Sequence, residues 1–211
     1  MHSYTDGVTE TRGERKERTR RAILDAALRL CEESSLGALS LRQVAKEVGI
    51  VPTGFYRHFE SIEALGLALV DEAFESLRGM LRDVRRGDPD LPDIVDSSVR
   101  VLVDHVHRQR AHFLFIARER NAGPPAVRAK IRHGIELFEQ ELATDIARLP
   151  GTEQWSAEDL RVLANLIVTL MVGSAEAILS AGPKAEAQVT AAARTQLRMV
   201  LVGAVNWRSR G

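Results

Sequence analysis

Residues 40–59, SLRQVAKEVGIVPTGFYRHF, concentrate the side chains best suited to recognising a charged or hydrogen-bonding partner. Arg42 presents a planar fork that matches the two acceptors of a guanine edge, and Arg57 is a second, weaker choice. Thr53, beside the free amides of a helix start, suits a phosphate. Tyr56 and His58 add polar tips on the same stretch. Gly54 costs about 1 kcal/mol relative to alanine in a helix, which makes sense if a partner backbone must approach closely. Gln43 has two claims: it can close a capping box with Ser40 or read an adenine, but hardly both at once.

Bond-breaking chemistry finds no candidate. The chain has no phosphate-binding glycine loop, zinc-protease pair or nucleophile elbow. His105 and His107 are two residues apart, so a helix would point them to different faces, and no metal or cofactor is expected. His105 falls on an apolar stripe and reads as a core histidine or a polar group in a pocket. The single Cys31 excludes an intrachain disulfide and fits a reducing cytoplasm.

These side chains need helices to position them. Ser40 is an N-cap, Leu39 and Val44 occupy the positions of a hydrophobic staple, and Gly49 ends the helix where a left-handed residue belongs. Pro52 then opens a second short helix, anchored by Phe55 and Phe59. Two helices joined by a tight glycine turn describe a helix-turn-helix, although an ordinary helical hairpin has the same local pattern. Upstream, Ile23, Ala26, Ala27 and Leu30 predict a first helix from about Arg18 to Ser34. Downstream, Ser61 caps a long fourth helix that ends at Arg85-Arg86-Gly87-Asp88-Pro89. A fifth helix begins near Pro92, a sixth covers about 112–120, and a seventh carries Val127 to Leu149 before Pro150-Gly151. Trp155, Ser156, Asp159 and Leu160 form a capping box with a staple. The eighth helix that follows is apolar on almost every side, so it must be buried from two directions. A ninth spans 185–207, with Val189, Ala192, Ala193, Leu197, Val200, Leu201 and Ala204 inward. The fold class is therefore all-α. Its expected parts are a flexible arm (1–14), a helix-turn-helix domain (15–60), a connecting helix (61–86) and a ligand-binding and dimerisation domain (87–211).

Composition agrees. At 211 residues the chain fits a small head and a larger body, with 45% hydrophobic and 5% aromatic residues. Formal net charge is zero, but residues 12–21 hold six basic against two acidic side chains, net +4, and residues 100–133 hold eight against two, net +6. Arg118-Glu119-Arg120 reads alone as a solvated helix end. No signal peptide is evident, and the apolar stretch around 166–173 reads as too short and interrupted to span a bilayer, so no membrane partner is expected.

Taken together, Ile23–Leu30, Ser40–Val48, Gly49–Phe59 and Glu63-Ala64-Leu65 resemble the TetR family of bacterial transcription regulators over about residues 18–70. A closer resemblance runs through Pro52–Phe59, Leu65–Glu72, Ala117–Arg120 and Gln196-Leu197-Arg198-Met199. These look like the FabR/DesT-type repressors of unsaturated fatty acid synthesis. The chain departs from the wider family at Ile62, where lysine is common, and at Ser35, where glycine is usual; that branch is similar at both places.

The resemblance implies a nine-helix, non-enzymatic regulator with a three-helix DNA-binding head and a six-helix body. Tyr56 and His58 match phosphate-contact positions, so Ser40, Arg42, Gln43, Thr53, Gly54, Tyr56, Arg57 and His58 are the candidate DNA contacts. Arg12–Arg21 would form a basic arm tracking phosphate or entering the minor groove. The partners would be a pseudo-palindromic double-stranded DNA operator, a second copy through helices at about 156–181 and 185–207, and a long-chain acyl-CoA effector. Phe113, Phe115, Ile116, Phe138, Ile167 and Met171 are candidate walls for the acyl chain. Arg118, Arg120, Arg128 and Arg132 are candidates for the coenzyme A phosphates. Two alternatives stay open: a TetR-type repressor of an efflux or catabolic operon sensing an aromatic or drug-like ligand, and a helical lipid-binding protein or enzyme with no DNA role.

Overall fold

The computed structural model describes residues 11–86, 93–149 and 151–209, which contain nine α-helices, one 3-10 turn and no strand. In order they are α1 (Arg12–Glu33), the 3-10 turn (Leu36–Ala38), α2 (Leu41–Val48), α3 (Pro52–Phe55) and α4 (Ile62–Arg86). The body continues with α5 (Ile94–Arg108), α6 (Arg110–Ala122), α7 (Pro125–Ile146), α8 (Ala157–Ser180) and α9 (Pro183–Val205). The all-α expectation holds. Residues 1–10 of the expected arm, Gly87-Asp88-Pro89, Pro92 and Pro150 lie outside the described residues.

The first helix starts earlier than apolar periodicity suggested. Thr11 accepts the Glu14 N–H at 3.2 Å, and the Glu14 carboxylate accepts the Thr11 N–H at 2.7 Å. This box makes 12–14 helical, so Arg12–Arg21 is a helix face and not an extended arm that could thread a minor groove. The period begins only at Ile23 because the first turns of α1 are solvated on all sides.

The head closes over Ile23, Leu24, Ala27, Leu36, Val44 and Phe55. Gly49 takes the left-handed conformation (φ 73°) and turns the chain into α3. That second helix is shorter than expected: Pro52–Phe55 is helical, and Tyr56–His58 follow as turns. Ser35 is extended (φ −81°), so the turn after α1 needs no glycine there. Ile62 packs against the head core instead of facing outward.

The apolar core of the head extends into the body. The head core also takes in Leu69 and Phe74 of α4, Phe115 of α6, and Val127 and Ile131 of α7. In the remaining body, α7 packs on α8 and α8 on α9, while α5 and α6 close the other side. Helix α7 stops at Ile146 and not Leu149, because the Thr152 hydroxyl donates to the carbonyls of Ile146 (3.1 Å) and Leu149 (2.8 Å). At α8, Ser156 accepts the Asp159 N–H as expected, but the other half of the box comes from the far end of the chain. The Ser209 hydroxyl accepts the Ser156 N–H at 3.0 Å and donates to the Asp159 carboxylate.

Helix α8 is long and apolar enough to cross a bilayer by length and composition, with a mean hydropathy of 2.0, contrary to the sequence reading. In the fold it is seated among other helices and carries polar ties, Asn165 to Glu139 and Glu176 to Arg120. Of the expected inward residues of α9, Ala193 and Leu197 are buried, whereas Ala192 is exposed.

Helices α4 and α7 touch at Gly134, where an added Cβ would lie 2.5 Å from the Phe74 ring. Gly134→Ala should therefore lose about 1–3 kcal/mol of stability despite alanine's better helix propensity, because a buried ring must shift. Denaturant unfolding checks this.

Candidate functional site

The outer side of α2 and α3 presents Arg42, Gln43, Thr53, Tyr56 and Arg57 to solvent, Tyr56 at 61% of its full exposure. Phe55 and Phe59 lie beneath, their rings 5.9 Å apart, and Tyr56 stands edge-on to Phe55 at 6.2 Å. Arg20 of α1 lies 4.4 Å over the Phe59 ring, fixing α1 against the recognition segment. At Gly54 an added Cβ would meet only ordinary contacts, at 3.8 Å, so nothing within the fold demands this glycine.

One open choice is decided and one expectation is narrowed. Gln43 caps: its side-chain oxygen accepts the Ser40 N–H at 2.8 Å while the Ser40 hydroxyl accepts the Gln43 N–H at 3.2 Å. That occupies the acceptor a bidentate adenine contact would use. At α3, Pro52 has no N–H and the Gly54 amide is bonded to the Val51 carbonyl at 2.8 Å, which leaves the Thr53 amide and hydroxyl to meet a phosphate.

His58 is partly buried, and its Nδ1 has no hydrogen-bond partner. Burial first, then the positive charges of Lys16, Arg20 and Arg57, push its pKa down from the ordinary value. The imidazole is thus held neutral beside cationic residues, a setting in which an arriving phosphate would supply the missing counter-charge.

The body encloses a second site, a cavity of about 430 Å3. Its wall includes Phe113, Ile116, Phe138, Ile167 and Met171, as expected, with Phe74, Leu77 and Met80 from α4. Phe115 does not belong: it is 1% exposed and fills the core between head and body. The polar groups in the wall include His112, Arg120, Asp145 and Glu176. Arg120 forks onto Glu176, at 2.9 Å through Nε and 3.1 Å through its terminal nitrogen.

The basic stretch has a different purpose from the one expected. Arg118 donates to the carbonyls of Cys31, Glu32 and Ser34, capping the C-terminus of α1. Arg128 caps α6 through the Gly123 carbonyl at 2.7 Å, and Arg110 caps α8 through the Leu179 carbonyl at 3.1 Å. Cations at helix C-termini satisfy orphan carbonyls and the helix dipole together. Arg132 lies exposed on α7 and does not line the cavity. Glu119, read as part of a solvated helix end, is fully buried and accepts the Leu36 N–H at 2.9 Å. Burial, then Glu119, pushes the neighbouring Cys31 thiol up to about 12 against the pull of Arg118, which keeps it neutral and unreactive.

Sequence reasoning missed Glu119, Phe74, Glu72 and His112, because their partners lie on other helices. Among the described residues no group of histidine, cysteine and carboxylate side chains could hold a metal ion.

Because phosphate raises a pKa that the free protein depresses, duplex affinity should rise from pH 8 to pH 6, and His58→Ala should flatten that rise. The same depression predicts that the His58 contribution to folding stability is present above about pH 6.5 and lost as pH falls. Fluorescence anisotropy and thermal unfolding across the pH range check both. Tyr56→Phe and His58→Ala should weaken all sequences about equally, whereas Arg42→Ala should relax preference at one base pair by about 1–3 kcal/mol.

Residues 23–69 match the family model of the bacterial regulatory proteins of the tetR family. Solved structures share the fold across nearly the whole chain. GusR of Salmonella enterica is 24% identical with a TM-score of 0.69, covering 93% of this chain and 98% of its own. The fatty acid degradation regulator FadR from Bacillus halodurans is 15% identical with a TM-score of 0.69, covering 90% and 97%. SmeT in complex with triclosan is 17% identical with a TM-score of 0.67, covering 92% and 100%. The α1–α4 head thus carries the stretch that matches the tetR family model, on a body of the same fold as these proteins.

Proposed function

We propose that the chain is a homodimeric repressor of lipid or fatty-acid metabolism genes whose body cavity takes a long acyl chain. The observation that carries this reading is the 430 Å3 cavity walled mainly by apolar side chains, directly behind a helix-turn-helix head. Cavities of this size suit small ligands, and an apolar wall favours a hydrocarbon chain. Support also comes from the fold shared with a fatty acid degradation regulator. Since Arg118 and Arg128 cap helices and Arg120 is paired, coenzyme A phosphates have no prepared site among them. The reading therefore rests on the acyl chain, and free fatty acids belong in the test beside thioesters.

The second copy would dock on α8 and α9. Val162 and Leu166 on α8 and Met199, Val202 and Val205 on α9 are each at least half exposed in the single chain. Exposed apolar residues on two helices packed side by side suit an isologous interface. Two heads would then engage half-sites about 34–36 Å apart, or a near multiple of that spacing.

The Phe74, Phe113 and Phe138 rings in the wall favour a second reading, an aromatic effector of an efflux or catabolic operon. SmeT, with the same fold, is seen with triclosan. A helical lipid-binding protein without a DNA role fits less well, because the head would then have no use for its outward basic and aromatic side chains.

Operator complexes, obtained by genome-fragment selection, should change affinity when titrated with palmitoyl-CoA, oleoyl-CoA or the free acids, and by different amounts for saturated and unsaturated chains. Identical curves with and without all of them would remove the lipid reading and leave DNA binding intact. Leu166→Asp or Val202→Asp should give monomers in sedimentation and weaken operator binding about tenfold or more.

A further inference from the structure

One carboxylate joins the cavity wall to the head. Glu72 of α4 faces Arg21 of α1 through one oxygen in a close ion pair, and His112 of α6 through the other at 3.9 Å. His112 also lines the cavity. All three helices thus meet at a single charged group, which is 26% exposed, while the His112 ring is 20% exposed. Contact with His112 first, and then the charge of Arg21, hold the Glu72 carboxyl below its ordinary range against the opposing effect of burial. The preceding residue of α4, Asp71, is tied to Lys130 of α7 at 2.8 Å, so α4 is held from the body side at this level.

The position of this contact on α1 matters. The C-terminus of α1 is gripped by Arg118, whereas Arg21 lies roughly 15 Å further toward its N-terminus at 1.5 Å per residue. Helix α1 is packed into the head core through Ile23, Leu24 and Ala27 and tied to the recognition segment by Arg20, so a change at Arg21 changes how the head as a unit leans on α4. The N-terminal half of α1 carries Lys16 and Arg20 beside the recognition segment.

We propose that His112, Glu72 and Arg21 form an ionic relay by which the state of the cavity sets how firmly α1 is held against α4. The proposal rests on the reading of the head as DNA-binding and of the cavity as an effector site. A ligand acceptor that draws His112 away leaves Glu72 to Arg21 alone and strengthens that pair; a ligand that presses His112 onto Glu72 weakens it. His112 and Glu72 are positioning residues, acting on DNA affinity through Arg21. Nearby Asp25, at 3.8 Å from Arg21, competes for the same guanidinium and sets the background against which the relay works.

A double-mutant cycle on the full-length protein tests this without knowledge of the ligand. The duplex recovered from genome-fragment selection is bound by wild type, H112Q, E72Q, R21Q and the paired variants, with thermal unfolding confirming that each is folded. H112Q should change duplex affinity about threefold or more in the wild-type background and by less than about 1.5-fold in E72Q or R21Q, since contacts in one network are non-additive. R21Q subtracts any phosphate contact that Arg21 makes itself. H112F serves if H112Q unfolds. Additive effects, or an unchanged affinity for H112Q, would overturn the relay while the DNA-binding reading stands. Recovery of no duplex would overturn both. A wild type that ignores palmitoyl-CoA and oleoyl-CoA removes the lipid effector only, and the cycle still decides the relay.

Discussion

The buried carboxylate of Glu119 is the contact on which the arrangement of head and body depends. A buried carboxyl needs polar partners in place of water: one Glu119 oxygen accepts the Leu36 N–H at the head–body junction, the other has no hydrogen-bond partner, and Arg118 beside it holds the end of α1. Two consecutive residues of α6 thereby hold the end of α1 and the start of the 3-10 turn. Gly123 follows from the same constraint, since a Cβ there would lie 2.7 Å from a Glu119 oxygen. With that junction set, Phe115 closes the core beneath it, and Val127 and Ile131 extend the head's apolar cluster into α7.

This junction explains how one helix serves two sites. On α6, Phe115, Arg118 and Glu119 face the head, while His112, Phe113, Ile116, Ala117 and Arg120 line the cavity. The two sets lie on adjoining faces of one helix, with His112 and Ile116 at their boundary. A ligand can alter the heads only by binding their two arrangements unequally, and a helix that touches both sites is a short physical route for that difference.

The cationic residues show how a plausible reading of charge can mislead. Eight basic side chains in residues 100–133 look like a surface for a polyanion. Three of them instead cap helix C-termini, a demand that arises because every helix leaves its last carbonyls without partners inside the helix. Charge density along the chain measures how many cations are present, and not which way they point.

The local elements were legible from residues alone because their signals are local. Ser40 with Gln43, Gly49, Pro52 and Ser61 mark starts and stops by hydrogen-bonding and dihedral rules that act within a few residues. The same rules would have placed the start of α1 at Thr11, since Thr11 with Glu14 is a readable capping box. The exposure of Thr53, Tyr56 and Arg57 was also legible, because a short segment with two buried phenylalanines leaves only one face outward. What only the tertiary structure decided is which long-range partner each polar side chain takes. Gln43 caps, Arg118 holds α1, Phe115 leaves the cavity for the core, and Glu72 stands between His112 and Arg21. Burial and ion pairing depend on where other helices pass, and helix periodicity carries a residue's face but not its neighbour.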